Sequence, residues 1–133
     1  MDFVNDREST AKALFEMAGE VRKNAYAPFS NFYVGAALLT ADGKIYTGVN
    51  VENSSYGATI CAERTAFVKA ISEGQREFVA LAINAGEQEA LPCGICRQFI
   101  YEFAPEISII TGTDKDNINI RVLEELLPMG FRL

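Results

Sequence analysis

Apolar residues at Ala11, Leu14, Phe15, Ala18 and Val21 recur on one helical face between residues 6 and 23, with polar positions between them. That stripe predicts an amphipathic helix lying on a flat partner. Residues 24–28 end it, because Pro28 disfavours helical geometry in the residue before it. Residues 29–32 form a loop carrying two aromatics, Phe29 and Phe32. Residues 33–40 are apolar on both faces, and residues 45–49 follow after Asp42-Gly43, a hairpin signal between two strands. Gly35, Ala36 and Ala37 leave so little side chain that a helix is expected to pack close above the first of these strands. The polar run 50–55 is a loop.

The period then changes again. Residues 61–72 read as a helix with Ala62, Ala66, Phe67, Ala70 and Ile71 turned inward and Gly74 placed to stop it. Residues 77–85 alternate large and small apolar side chains, as a strand covered on both faces would. Pro92 marks a helix start, after which Cys96, Phe99, Ile100 and Phe103 fall at i, i+3, i+4 and i+7. Pro105 closes that helix. Residues 107–111 are expected to form a short strand, 112–117 a turn, 118–120 an edge strand and 122–127 a last helix before Pro128. This order predicts the α/β class: a three-layer α/β/α sandwich around a mixed five-stranded sheet, with residues 1–133 as a single domain.

Composition narrows the partners. A chain of 133 residues with 49% hydrophobic side chains can fill one core. Its apolar runs are too short to cross a bilayer, and the start of the chain lacks the basic and apolar regions of a signal peptide, so a cytoplasmic location is expected. A formal charge of −6 opposes binding to phosphate backbones. The expected partner is a small molecule, with neither nucleic acid nor membrane.

The chemistry gathers in Cys61-Ala62-Glu63-Arg64 and Pro92-Cys93-Gly94-Ile95-Cys96, which hold all three cysteines of a chain without histidine. Three thiolates bind zinc and leave a fourth position for water. Each cluster begins a predicted helix, and helix starts lower thiol pKa and meet at one edge of an α/β sheet. Three thiolates also place excess negative charge on the metal, and Arg64 is positioned in sequence to offset it by donating to a ligand sulfur. Glu63, two residues from Cys61, is suited to carry protons beside the metal. A redox Cys-x-x-Cys pair, or a structural zinc closed by a carboxylate, are the competing readings of the same cysteines. Glu63 and Arg64, taken singly, would be ordinary helix-surface residues.

Cys61-Ala62-Glu63 followed by Pro92-Cys93-Gly94-Ile95-Cys96 resembles the signature of the zinc-dependent cytidine deaminase superfamily in its three-cysteine form. Tyr26-Ala27-Pro28-Phe29-Ser30-Asn31-Phe32, Val34-Gly35-Ala36-Ala37-Leu38, Asn50-Val51-Glu52-Asn53 and Glu125-Leu126-Leu127-Pro128 are similar to the small homotetrameric cytidine deaminases, so the likeness spans nearly the whole chain. It implies one zinc per chain on Cys61, Cys93 and Cys96, with Glu63 as the catalytic proton carrier in hydrolytic deamination of cytidine and deoxycytidine. It further implies that Asn50 and Glu52 bind the ribose hydroxyls, that Phe32 packs on the pyrimidine and that Ala62 contacts substrate. Tyr56 and Phe131 match residues given to a neighbouring subunit's pocket in a homotetramer. Two departures bear on substrate ranking: Ile95 stands where the family often has alanine, and residues 54–60 are a variable stretch beside the pocket. A deaminase of nucleoside antibiotics such as blasticidin S, a deaminase of bases within nucleic acid and a zinc-stabilised binding module are the alternatives. Asn50 with Glu52 favours free ribose over the antibiotic, the acidic chain disfavours polynucleotide, and three ligands instead of four disfavour the module.

Overall fold

Two glycines admit helices onto the sheet at distances no side chain would allow. A Cβ on Gly35 would stand 1.9 Å from the Ala18 carbonyl oxygen, and one on Gly48 would stand 2.5 Å from both the Ala62 oxygen and the Ala66 nitrogen. The computed structural model describes residues 1–133. Its elements are α1 (Arg7–Val21), β1 (Gly35–Thr40), β2 (Ile45–Val49), α2 (Ala62–Ser72), β3 (Phe78–Asn84), α3 (Gly94–Phe103), β4 (Ser108–Asp114), β5 (Asn117–Val122) and α4 (Leu123–Leu126). Single 3-10 turns occupy Arg22–Asn24 and Tyr56–Ala58.

The five strands form one mixed sheet in the order β2-β1-β3-β4-β5, with β3 and β4 parallel and the other neighbours antiparallel. Side chains alternate across the pleat. Ala37, Leu39, Ala80, Ala82 and Ile110 face α1 through Ala11, Leu14, Phe15 and Ala18. Ala36, Leu38, Leu81, Ile83 and Ile109 face the other way, onto Ala66 and Phe67 of α2, Ile100 of α3 and Leu123 of α4. This is the expected three-layer α/β/α arrangement. No helix is long and apolar enough to cross a membrane.

The local differences from expectation lie at polar edges. The strand expected at 107–111 runs on to Asp114, and the turn expected over 112–117 shrinks to Lys115 and Asp116. The Asp114 carboxylate closes it by accepting from the Asp116 N–H and the Asn117 amide, both at 2.9 Å. Polar residues can hold an edge hairpin because backbone pairing and side-chain turn bonds suffice there. Pro92 lies two residues before Gly94, the first residue of α3, whose N-cap is Cys93, and α2 likewise begins after Cys61 as its N-cap.

β2 and β3 both run antiparallel to β1 and so run parallel to one another, as does β4. α2 leaves the C-terminal end of β2, α3 leaves that of β3, and both cover the same face. Their first turns therefore meet at one end of the sheet. Gly48→Ala would force α2 off the sheet at its first turn, against backbone atoms that cannot rotate away. It is expected to cost about 3 kcal/mol, measured as a fall in the midpoint of urea unfolding.

Candidate active site

The two helix starts bring Cys61, Cys93 and Cys96 into one cluster, with all three Sγ atoms within 4.8 Å of one another. Cys61 and Cys93 are N-caps in extended conformation, while Cys96 lies in the first turn of α3 and is fully buried. The Cys61 and Cys93 sulfurs are 3.8 Å apart. Thiolates bound tetrahedrally at ~2.3 Å from zinc stand about 3.8 Å from each other, so the cluster has the spacing of a zinc site. All three cysteines are free, and the sulfur separation is far beyond a disulfide bond.

The electrostatics of the cluster also call for a cation. A hydrogen bond from Cys96, then the Arg64 guanidinium and Cys93, bring the Cys61 thiol down to about 5. The same sharing with Cys61, together with burial and the negative charges of Glu63 and Cys61, pushes Cys96 far up. One thiol ionises and thereby blocks the next. A divalent metal removes that conflict, because it holds thiolates and is held by them. The donor set fits zinc.

Glu63 is buried, at 5% exposure, on the first turn of α2. Burial above all, and then the Cys61 charge, raises its carboxyl to about 7 against the pull of its own backbone N–H, Cys96 and Arg64. A glutamate in such a place is seldom only structural. Arg64 reaches back along the helix: its Nη2 donates to the Thr59 carbonyl at 3.3 Å and lies 3.8 Å from Cys61 Sγ. Its Nε is buried without a hydrogen-bond partner. Ala62, fully buried, separates Cys61 from Glu63.

A second group of predicted residues forms beside the cluster. Val51 exchanges both backbone hydrogen bonds with Ile60, the residue before Cys61, at 2.9 and 3.0 Å. Tyr26 flanks the same segment, its N–H donating to the Asn50 oxygen and its oxygen accepting from the Glu52 N–H. Asn50 and Glu52 are two apart in extended chain, so their side chains leave on the same side. Asn50 accepts from the Val34 N–H at 2.9 Å and donates to the Phe32 carbonyl at 2.7 Å. Glu52 Oε1 accepts from the Phe29 and Ser30 N–H groups at 2.9 and 3.1 Å, and Oε2 accepts from the Ser30 hydroxyl. Those donors hold the Glu52 carboxyl below its usual range, Ser30 most of all.

Phe32 is 41% exposed at this loop, and Tyr56, 74% exposed, meets Phe29 edge-on at 5.6 Å between ring centroids. Phe29, Ser30, Glu52, Tyr56 and Thr59 line a shallow cavity of about 330 Å³. Phe131 sits apart on the C-terminal tail, 64% exposed, its carbonyl bound by the Gln98 amide of α3 at 2.8 Å. The largest groove, about 1160 Å³, runs along α1 and contains none of these residues; the chemistry places the site at the helix starts.

Some supporting residues were not visible in the sequence. Arg97 donates to the Pro92 carbonyl and to the Leu126 carbonyl, both at 2.7 Å, and so fixes the turn before Cys93 to α4. Glu89 accepts from Thr111 and Asn119 at 2.8 and 2.7 Å and pairs with Arg121 at 3.7 Å, pinning the loop that delivers Cys93. These partners are distant in sequence and carry no local signal. Ser30 did have one, since a serine two residues before Phe32 in a turn-prone loop is placed to bond the chain ahead of it.

Known proteins share this arrangement. Residues 8–111 match the cytidine and deoxycytidylate deaminase zinc-binding region. A cytidine deaminase of Halalkalibacterium halodurans is 46% identical over 120 residues, covering 89% of this chain and 91% of the relative. A probable cytidine deaminase of Dictyostelium discoideum is 54% identical over 118 residues, covering 87% and 80%. The crystal structure of cytidine deaminase from Burkholderia pseudomallei superposes with a TM-score of 0.85 at 44% identity, covering 90% of this chain and 97% of that one. On the length of these matches and on a thiol cluster spaced for zinc, the chain belongs to the cytidine and deoxycytidylate deaminase family.

Proposed function

We propose that the protein is a zinc-dependent cytidine deaminase that hydrolyses cytidine and deoxycytidine to uridine and deoxyuridine with release of ammonia, serving pyrimidine salvage in the cytoplasm. The observation that carries the reading is a three-thiol cluster with a buried carboxyl on the same helix start. Cys61, Cys93 and Cys96 would hold zinc, which when bound would supply an activated water at the ring carbon that bears the amine. Glu63 would carry one water proton to the neighbouring ring nitrogen and then the remaining hydroxyl proton to the amino group, so that ammonia leaves as the ring carbonyl forms. Arg64 offsets the thiolate charge from the side of Cys61.

Asn50 and Glu52 receive the sugar hydroxyls, Phe32 packs on the ring, and Ala62 lines the pocket between them. The exposed Tyr56 and Phe131 contribute to a neighbouring subunit's pocket in a homotetramer, which light scattering would register as a particle of four chains. An acidic chain with a net charge of −6 suits a free nucleoside better than a polynucleotide.

Absorbance near the cytosine band should fall when cytidine or deoxycytidine is added to zinc-loaded protein, with ammonia formed in equal amount. Cytosine and blasticidin S should be poor substrates in the same assay. A preparation that holds zinc and releases no ammonia from cytidine would sink the reading and favour a zinc-stabilised binding module. Glu52→Gln is expected to raise KM for cytidine about thirtyfold, the loss of one hydrogen bond to a charged group, with a smaller change in kcat.

A further inference from the structure

We infer that Ser30 is a positioning residue for sugar recognition, acting by holding the Glu52 carboxylate in place; the inference rests on the nucleoside reading above. Asn31 has a positive φ of 56° and its N–H returns to the Ala27 carbonyl at 2.9 Å, so the loop doubles back on itself. The reversal sets the Ser30 hydroxyl between two groups. It donates to Glu52 Oε2 and accepts from the Phe32 N–H at 3.0 Å. One hydroxyl thus links the residue that meets the sugar to the residue that meets the base.

Counting capacity shows what this does to recognition. An ionised carboxylate offers about four acceptor sites. The Phe29 N–H, the Ser30 N–H and the Ser30 hydroxyl take three of them. Asn50 has spent one N–H on Phe32 and one lone pair on Val34, which leaves one donor and one acceptor. The free capacity of the pair is therefore one carboxylate acceptor beside one amide donor and acceptor, a match for two adjacent hydroxyls. Without the Ser30 hydroxyl, Glu52 is held through Oε1 alone, Oε2 has no protein partner, and the free acceptor loses its fixed direction.

The test is kinetic. Ser30→Ala should raise KM for cytidine about tenfold and leave kcat within about twofold, and Ser30→Thr, which keeps the hydroxyl, should restore KM. The penalty should follow the sugar: kcat/KM for 2′,3′-dideoxycytidine, which lacks both hydroxyls, should be the same for Ser30→Ala and wild type. In a Glu52→Gln background Ser30→Ala should add no further loss, because one residue acts through the other. An equal loss for cytidine and the dideoxy compound, or additive losses in the double variant, would overturn the inference and assign Ser30 to general loop stability. If wild-type protein does not deaminate cytidine, the functional reading falls and this inference with it; the wild-type control separates the two failures.

Discussion

Glu63→Ala is expected to lower kcat for cytidine about ten-thousand-fold while the protein keeps one zinc per chain. The side chain is not among the three sulfur ligands, so its removal leaves the metal cluster whole. What it removes is the one buried carboxyl beside that cluster. In the metal-free chain burial raises that carboxyl to about 7, which brings its protonated form within reach near neutral pH. Glu63→Gln should fall nearly as far, because it keeps the shape and loses the proton. Zinc measured by atomic absorption alongside kcat separates this outcome from metal loss. Retention of more than a tenth of wild-type kcat in Glu63→Ala, with full zinc, would refute the assignment.

Cys96→Ala should abolish turnover by a different route. Cys96 is the fully buried thiol of the three, and two remaining thiols cannot hold zinc against water and competing ligands at comparable affinity. Zinc content should fall below about a tenth of an atom per chain, and activity with it. Chelation of wild-type protein should give the same loss, reversed by adding zinc back, whereas the variant should stay inactive. A variant that kept stoichiometric zinc and turnover would show that the metal is held elsewhere.

The helices and central strands were legible because their side chains repeat with the right period: Leu14 and Phe15 in α1, Phe67 in α2 and Leu81 in β3 are inward both by pattern and in the fold. The β4–β5 hairpin was foreshortened because Thr113, Asp114 and Asn117 carry no apolar signal, although Asp114 pairs with Asn117 beyond a register shift at Thr113. The thiol cluster was legible for a chemical reason, since three cysteines at two helix starts without histidine leave few other uses. The family resemblance marked Asn50 and Glu52 as candidate sugar ligands, but the sequence did not show their engagement with residues 29–34. Hydrogen bonds between loops distant in the chain follow from how the sheet brings their ends together, and no local pattern encodes that. The same holds for Arg97, whose bonds reach Pro92 and Leu126.

The parallel run of β2 and β3 has a kinetic consequence. Cys61 and Cys93 are 32 positions apart and lie on either side of β3, the central strand of the order β2-β1-β3-β4-β5. A metal that bridges them closes a loop of chain that contains α2 and β3, so the two ends of that loop stay together until a metal–sulfur bond breaks. Unfolding of the loaded protein should therefore be slow and should accelerate with added chelator. Refolding of metal-free chain has to close the same loop by diffusion alone, a modest entropic toll, before zinc can lock it. The catalytic metal would then also set the lifetime of the fold, as mixing experiments in urea with and without chelator would show.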